Sequence, residues 1–181
     1  GASATGPLGS DALLYRVAAY RHESDGFMRN AFLGRDDTNA RDERLLRTRL
    51  RWLASDTQTV DLTLMHADAD NGYDAFSLDN TRVTLSDEPG RDRQRSNALG
   101  LRYTREGRSV TTEVLASAAD TDSEYSYDED WSFVGIEPAL EYSSFDRYRR
   151  ERRSYSAQLR LRSRAPLATP AGDLSWTTGL Y

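Results

Sequence analysis

The sequence contains no cysteine, and although Lys and Arg together number 24, none of them is lysine: every fixed positive charge is arginine. The missing thiols exclude disulfide frameworks, thiolate zinc sites and cysteine nucleophiles, and leave only His22 and His66 to supply imidazole. No run approaches the roughly 18 apolar residues of a membrane-spanning helix, and the opening GASATGPLGS has neither the charged start nor the apolar stretch of a signal peptide. Apolar residues are scarce as well: 38% against 29% charged, with a mean hydropathy of -0.74, leaves 181 residues short of material for a conventional core. Ten Tyr, three Trp and five Phe are nevertheless many for a chain that never packs. The net charge of -5 argues against nucleic acid as a partner.

What is present is alternation with a period of two, the mark of strands with unlike faces. Leu13, Tyr15, Val17 and Ala19 alternate with Leu14, Arg16, Ala18 and Tyr20, and Leu46, Thr48, Leu50 and Trp52 alternate with Arg47, Arg49 and Arg51. After the polar turn Ala54 to Gln58, Val60, Leu62 and Leu64 continue the apolar face, which reads as a hairpin. Leu99, Leu101 and Tyr103 lead through the turn Arg105 to Arg108 into Val110, Thr112, Val114 and Ala116. A third hairpin runs from Tyr155, Ala157, Leu159 and Leu161 through a turn at 165–173 into Leu174, Trp176, Thr178 and Leu180. Seven strands are expected, with residues 1–5 as the tail of a preceding one.

Short turns alternate with long polar stretches at 22–43, 68–96 and 118–153, so every elaborate connection leaves from the same edge of the sheet. An all-β, antiparallel, up-and-down transmembrane barrel segment requires this arrangement: apolar residues toward lipid, polar residues toward the lumen, short periplasmic turns and long extracellular loops. A soluble or secreted β-sandwich with the apolar face turned inward has the same alternation, and a passive porin shares the barrel.

The stretch Gly6 to Asn30, GPLGSDALLYRVAAYRHESDGFMRN, resembles the part of TonB-dependent outer-membrane receptors in which a Gly-Pro-Leu turn leads into a barrel strand and then a loop with Asp-Gly-Phe and Asn. Gly6 to Ser10 also has the form of a cleavable-tag scar, but the resemblance gives it a native place. The segments Arg41 to Leu53, Val60 to Leu64 and the loop Asp70 to Phe76 resemble hairpins of the same family, so the resemblance covers nearly the whole chain. It implies a bacterial outer-membrane receptor that takes up ferric chelates (siderophores) or a similar scarce nutrient by binding and gated transport, without enzymatic chemistry or a cofactor. Its partners are then outer-membrane lipid and lipopolysaccharide, the nutrient ligand, and the TonB energy-coupling system acting through a plug. Neither a plug nor a closing aromatic strand is recognisable, so residues 1–181 are expected to be an internal piece of a barrel of about 22 strands.

Candidate sites follow from this frame. Arg47, Arg49 and Arg51 form one row expected to face the lumen or plug. Arg91, Arg93 and Arg95, with Arg147, Arg149 and Arg150, form basic runs on long loops that suit lipopolysaccharide phosphates or an anionic chelate. Their plain alternative is pairing with the acidic stretch Asp120 to Trp131, whose Tyr and Trp are expected to pack on neighbouring loops. Asp68 to Asp74 is oxygen-rich, but its spacing is wrong for a calcium loop, and it reads as a turn-forming loop. Tyr15, Trp52, Tyr103, Tyr155 and Trp176 lie on apolar faces where an interfacial aromatic girdle would place them.

Overall fold

The structure, a computed structural model, describes residues 1–139 and 141–181. Its strands are, in chain order, β1 (Ala2–Ser10), β2 (Leu13–Ser24), β3 (Arg29–Asn30), β4 (Arg41–Ser55), β5 (Gln58–Tyr73) and β6 (Val83–Thr84), then β7 (Gly90–Glu106), β8 (Val110–Asp128), β9 (Phe145–Ser163), β10 (Leu167–Thr169), β11 (Gly172–Leu174) and β12 (Thr177–Leu180). Eight of them form one antiparallel meander in the order β1-β2-β4-β5-β7-β8-β9-β12, and the outer strands β1 and β12 are not paired with each other. The short pairs β3/β6, which is parallel, and β10/β11 stand apart from this sheet. No second sheet layer packs on the meander among the described residues.

Several expected boundaries move. Residues 1–5 belong to a full strand, β1, paired with β2 from Ala2↔Ala19 to Ser10↔Leu13. The long polar stretches are largely strand: β5 runs to Tyr73, β7 starts at Gly90, β8 runs to Asp128 and β9 starts at Phe145. Among the described residues the true long loops are 25–40, 74–89 and 129–139 with 141–144. Polarity misled here because a strand beyond the apolar zone faces water on both sides and carries no apolar stripe, while its ladder continues unbroken. At the end of the chain Leu174 sits in β11 and Trp176 outside any strand, so the last pairing begins only at Thr177↔Arg162.

Register turns the alternation into rows across the sheet, since residues directly opposite one another share a face. Trp52, Val60, Tyr103, Val114, Leu159 and Leu180 make one row, and Tyr15, Leu50, Leu62, Leu101, Ala116 and Ala157 the next. Val17, Thr48, Leu64, Leu99, Ala118 and Tyr155 complete the third. With the mixed row through Leu46, His66 and Asn97, this belt extends about 20 Å along the strands. Nothing in the chain covers it: Leu64 and Leu99 are each 44% exposed, Trp52 52% and Tyr155 78%. Met28, in the first long loop, is the sole buried apolar side chain among the described residues.

The opposite face carries the arginines. Arg16↔Arg49↔Thr63↔Gly100↔Ser117↔Ser156 is one row, flanked by Arg47↔Met65↔Ala98 and Arg51↔Asp61↔Arg102. Arg51 grips Asp61 through Nε (2.6 Å) and Nη2 (3.0 Å), and Glu113, 7% exposed, accepts from Arg102 (2.7 Å) and Arg160 (3.4 Å).

Candidate functional site

Above the belt, both faces change character. On the belt face the strands form a ladder of alternating charge, in which Arg95 meets Asp68, Arg93 meets Asp70, Arg149 and Arg147 share Glu124, and Arg153 meets Asp120. Each such pair is largely solvated and contributes at most about 1 kcal/mol. Asp68 and Asp70 are therefore strand residues committed to arginines, and the expected loop at 68–74 is corrected. Asn71, the next residue, points to the other face and bonds Glu43 at 3.1 Å, so these oxygens do not converge on one point.

On the arginine face, alternation brings Tyr73 of β5, Tyr125 and Tyr127 of β8 and Tyr148 of β9 to the same end of the sheet. Tyr73 and Tyr125 meet edge to face at 4.9 Å between centroids. The loops at 74–89 and 129–144 fold onto this patch: Phe76 stacks on Trp131 at 5.0 Å and meets Tyr127 at 6.1 Å. Phe32 of the first loop stacks on Phe133 of the third at 4.4 Å. Together Phe76, Tyr125, Tyr127, Trp131, Tyr148 and Arg150 line a cavity of about 630 Å3, with Ser123 and Glu129 at its edge. That volume falls in the range of small-molecule sites, and its lining of several aromatic faces with one cation and one carboxylate suits a planar or ring-bearing ligand.

The loops are held by polar rather than apolar burial. Asn30, with no exposed surface, donates from Nδ2 to Asp74 Oδ2 (2.9 Å) and to the Ser86 carbonyl (2.7 Å), and its Oδ1 accepts from the Leu33 amide (2.8 Å). Thr84 Oγ1 donates to the same Asp74 oxygen at 2.8 Å. In the third loop Asp128 Oδ1 accepts from the amides of Asp130 and Trp131 (3.2 and 3.1 Å). This Asx-type turn holds Trp131 at φ 58, a left-handed conformation that a bulky residue adopts only when its surroundings impose it. Asp130 fixes the return of the loop by accepting from the Ser132 and Ser144 amides (2.9 and 2.8 Å).

Burial raises the Asp128 carboxyl to about 6, with the nearby Asp130 charge adding to the rise and the Ser86 hydroxyl opposing it. The Tyr127 phenol is pushed up to about 12, first by its hydrogen bond to Asp146 and then by burial. The Tyr125 phenol is raised chiefly by burial and by its contact with Tyr73. All three groups keep a less charged form within the aromatic cluster.

The structure separates residues that the sequence grouped. Arg147 and Arg149 sit on the belt face in the charge ladder, whereas Arg150 points to the other face and reaches the cavity. Arg91, Arg93 and Arg95 lie in β7 on the belt face, so the basic runs are strand residues and not loop residues, and Arg93 and Arg95 line a further cavity of about 590 Å3 together with Arg149 and Arg150. Arg47 and Arg49 stand beside Arg16 around a cavity of about 200 Å3 lower on the arginine face. Tyr73, Tyr148 and Phe76 were not singled out from sequence as cavity residues. The available signal was the equal parity of Tyr125 and Tyr127, which is visible only once β8 is known to continue past Asp120. No group of three or more His, Asp and Glu side chains suited to a metal occurs among the described residues. His66 bonds Asn97 at 2.8 Å across the ladder.

Comparison with known proteins found no matching family model, no similar curated protein and no similar solved structure.

Proposed function

We propose that this chain is a wall segment of a bacterial outer-membrane β-barrel of the TonB-dependent receptor type, whose ligand is a ferric chelate or a similar scarce nutrient. The observation that carries the reading is the uncovered apolar belt on one face of a single sheet, backed by a polar, arginine-rich face. In water such a belt is an aggregation surface; in lipid it is the ordinary outer wall of a barrel, and its height approaches the roughly 25 Å apolar band of such proteins. Trp52 and Tyr103, in one row near the short turns, take the place of an interfacial girdle.

The long loops rise from the opposite edge, and the cavity lies on the side that becomes the lumen when the ring is closed by the rest of the barrel. Its aromatic faces, Arg150 and Glu129 form part of the ligand vestibule, and transport proceeds by binding and passage without chemistry on the ligand. The charge ladder on the outer wall lies at headgroup height, where its arginines meet lipopolysaccharide phosphates. A β-sandwich needs a second sheet over the belt, and the eight-stranded meander carries none among the described residues.

The test uses single-cysteine variants of the full-length protein in native membranes. A lipid-phase thiol reagent is expected to modify Leu50→Cys and spare Arg49→Cys, while a water-soluble reagent shows the reverse preference. Lipid-phase labelling of position 49 with protection of position 50 overturns the reading.

A further inference from the structure

Carboxylates within the sheet are met by arginines: Asp61 by Arg51, Glu113 by Arg102 and Arg160, and Glu124 by Arg147 and Arg149. Asp74 and Asp128, only 5% and 6% exposed, have no cation within salt-bridge distance among the described residues. Asp74 follows β5 directly and Asp128 ends β8, and both border a cavity of about 10 Å3 closed in by Tyr73, Ser86, Tyr127 and Trp131. That is the room of one water-sized sphere, too little for a guanidinium. The oxygens around it are only partly used. Asp74 Oδ2 accepts from Asn30 and Thr84, and Asp128 Oδ1 accepts from the amides of Asp130 and Trp131. Asp128 Oδ2 and Ser86 Oγ, the latter on a residue 2% exposed, are buried without a hydrogen-bond partner among the described residues. A water molecule in this room supplies hydrogen bonds but no charge, and two carboxylates withdrawn from solvent need a counter-charge.

We propose that Asp74, Ser86 and Asp128 hold a calcium ion that ties the loop at 74–89 to the root of the third long loop. The donors are all oxygen, which selects a hard cation, and calcium accepts the irregular geometry that loops offer, whereas magnesium demands an octahedron. Two carboxylates and a hydroxyl make up part of its six to eight ligands, and backbone carbonyls and water complete the set. Phe76 and Trp131 lie just after Asp74 and Asp128 in the chain, and their stacked rings form one wall of the larger aromatic cavity. The ion fixes the roots of both segments, so the shape of that wall depends on calcium. The site rests on these two loops alone and not on the barrel reading.

The test is amide hydrogen exchange in the full-length protein at about pH 7.5, where Asp128 is ionised, first stripped with EDTA and then given about 5 mM calcium. The reporter is the Asp87 amide, which donates to the Ser132 carbonyl at 3.1 Å and so joins the two loops. With a Kd of about 0.5 mM, within the range of weak calcium modules, exchange at Asp87 is expected to slow about tenfold. Asp128→Asn keeps the side-chain oxygen that makes the turn and removes the charge, so it is expected to fold and to lose the calcium effect. Asp70→Asn, on the belt face, is expected to keep it. Exchange at Asp87 that calcium leaves unchanged overturns the proposal, since the cavity then holds water only. Equal slowing in the unsubstituted protein and in Asp128→Asn overturns it as well, because the ion then acts elsewhere.

Discussion

Replacing Asn30 by alanine tests whether a polar knot holds the first two long loops together. Its side chain makes three hydrogen bonds, to Asp74, the Ser86 carbonyl and the Leu33 amide, from a position with no exposed surface. Bonds between neutral groups contribute about 0.5–1.5 kcal/mol each and those to a charged partner about 1.5–3 kcal/mol. The substitution also leaves the Asp74 carboxylate, 5% exposed, with Thr84 Oγ1 as its one remaining side-chain donor. The loss is about 3–5 kcal/mol, confined to the contact between the loops at 25–40 and 74–89. Since about 1.4 kcal/mol is tenfold, opening of this contact becomes about two to three and a half orders of magnitude more frequent. Amide hydrogen exchange reads this directly at Arg29, bonded to the Arg82 carbonyl, and at Ala31, bonded to the Thr84 carbonyl, each at 2.9 Å. Exchange at Leu101 and Ala116 in the belt is expected to stay unchanged. A change below tenfold at Arg29 and Ala31, or an equal rise at Leu101, refutes the reasoning.

Three further substitutions probe the third loop and the sheet. Asp128 is held up to about 6 from an ordinary 3.8, so the closed loop keeps a proton that the open loop has already lost, and loop stability falls as pH rises from about 4 to about 6. Acrylamide quenching of Trp131, with Trp52 and Trp176 replaced by Phe, is expected to increase across that window, and Asp128→Asn is expected to abolish the pH dependence; a variant that keeps it removes Asp128 as the cause. Gly90→Ala drives a Cβ into the Ser126 carbonyl, whereas at Gly100 the nearest atom is 4.0 Å away. The first is expected to cost about 3 kcal/mol or more and the second under about 1 kcal/mol, measured as the urea midpoint followed by exchange at Tyr125.

The sheet was legible because one signal survives wherever one face differs from the other. Leu46 to Trp52 against Arg47 to Arg51 fixed both the strand and its facing, and the short turns at 54–58 and 105–108 fixed the order of pairing. The signal failed where both faces are polar, at Asp68 to Tyr73, Arg91 to Arg95 and Asp120 to Asp128. There the ladder is carried by backbone hydrogen bonds and cross-strand ion pairs to which period two is blind. The cavity was illegible for a related reason: Phe76 and Trp131 come from separate loops, and their meeting depends on Asx turns and on the buried contact of Asn30 with Asp74, a pairing across 44 positions. The recess between Arg16, Arg47 and Arg49 needed only register, and the sequence reading stopped at Arg47, Arg49 and Arg51 because it followed one strand.

The near absence of buried apolar side chains has a thermodynamic consequence. The heat-capacity change of unfolding and the steepness of the response to denaturant both grow with the apolar surface that unfolding newly exposes. Among the described residues Met28 is the one apolar side chain that is buried, and the belt leucines are already open. Stability of the isolated sheet thus comes from its hydrogen-bonded ladders, with a shallow, nearly straight dependence on temperature in place of the usual dome. The curvature typical of globular proteins would return only when an apolar environment covers the belt, so calorimetry reads that covering as a change in shape of the stability curve and not merely as a higher melting point.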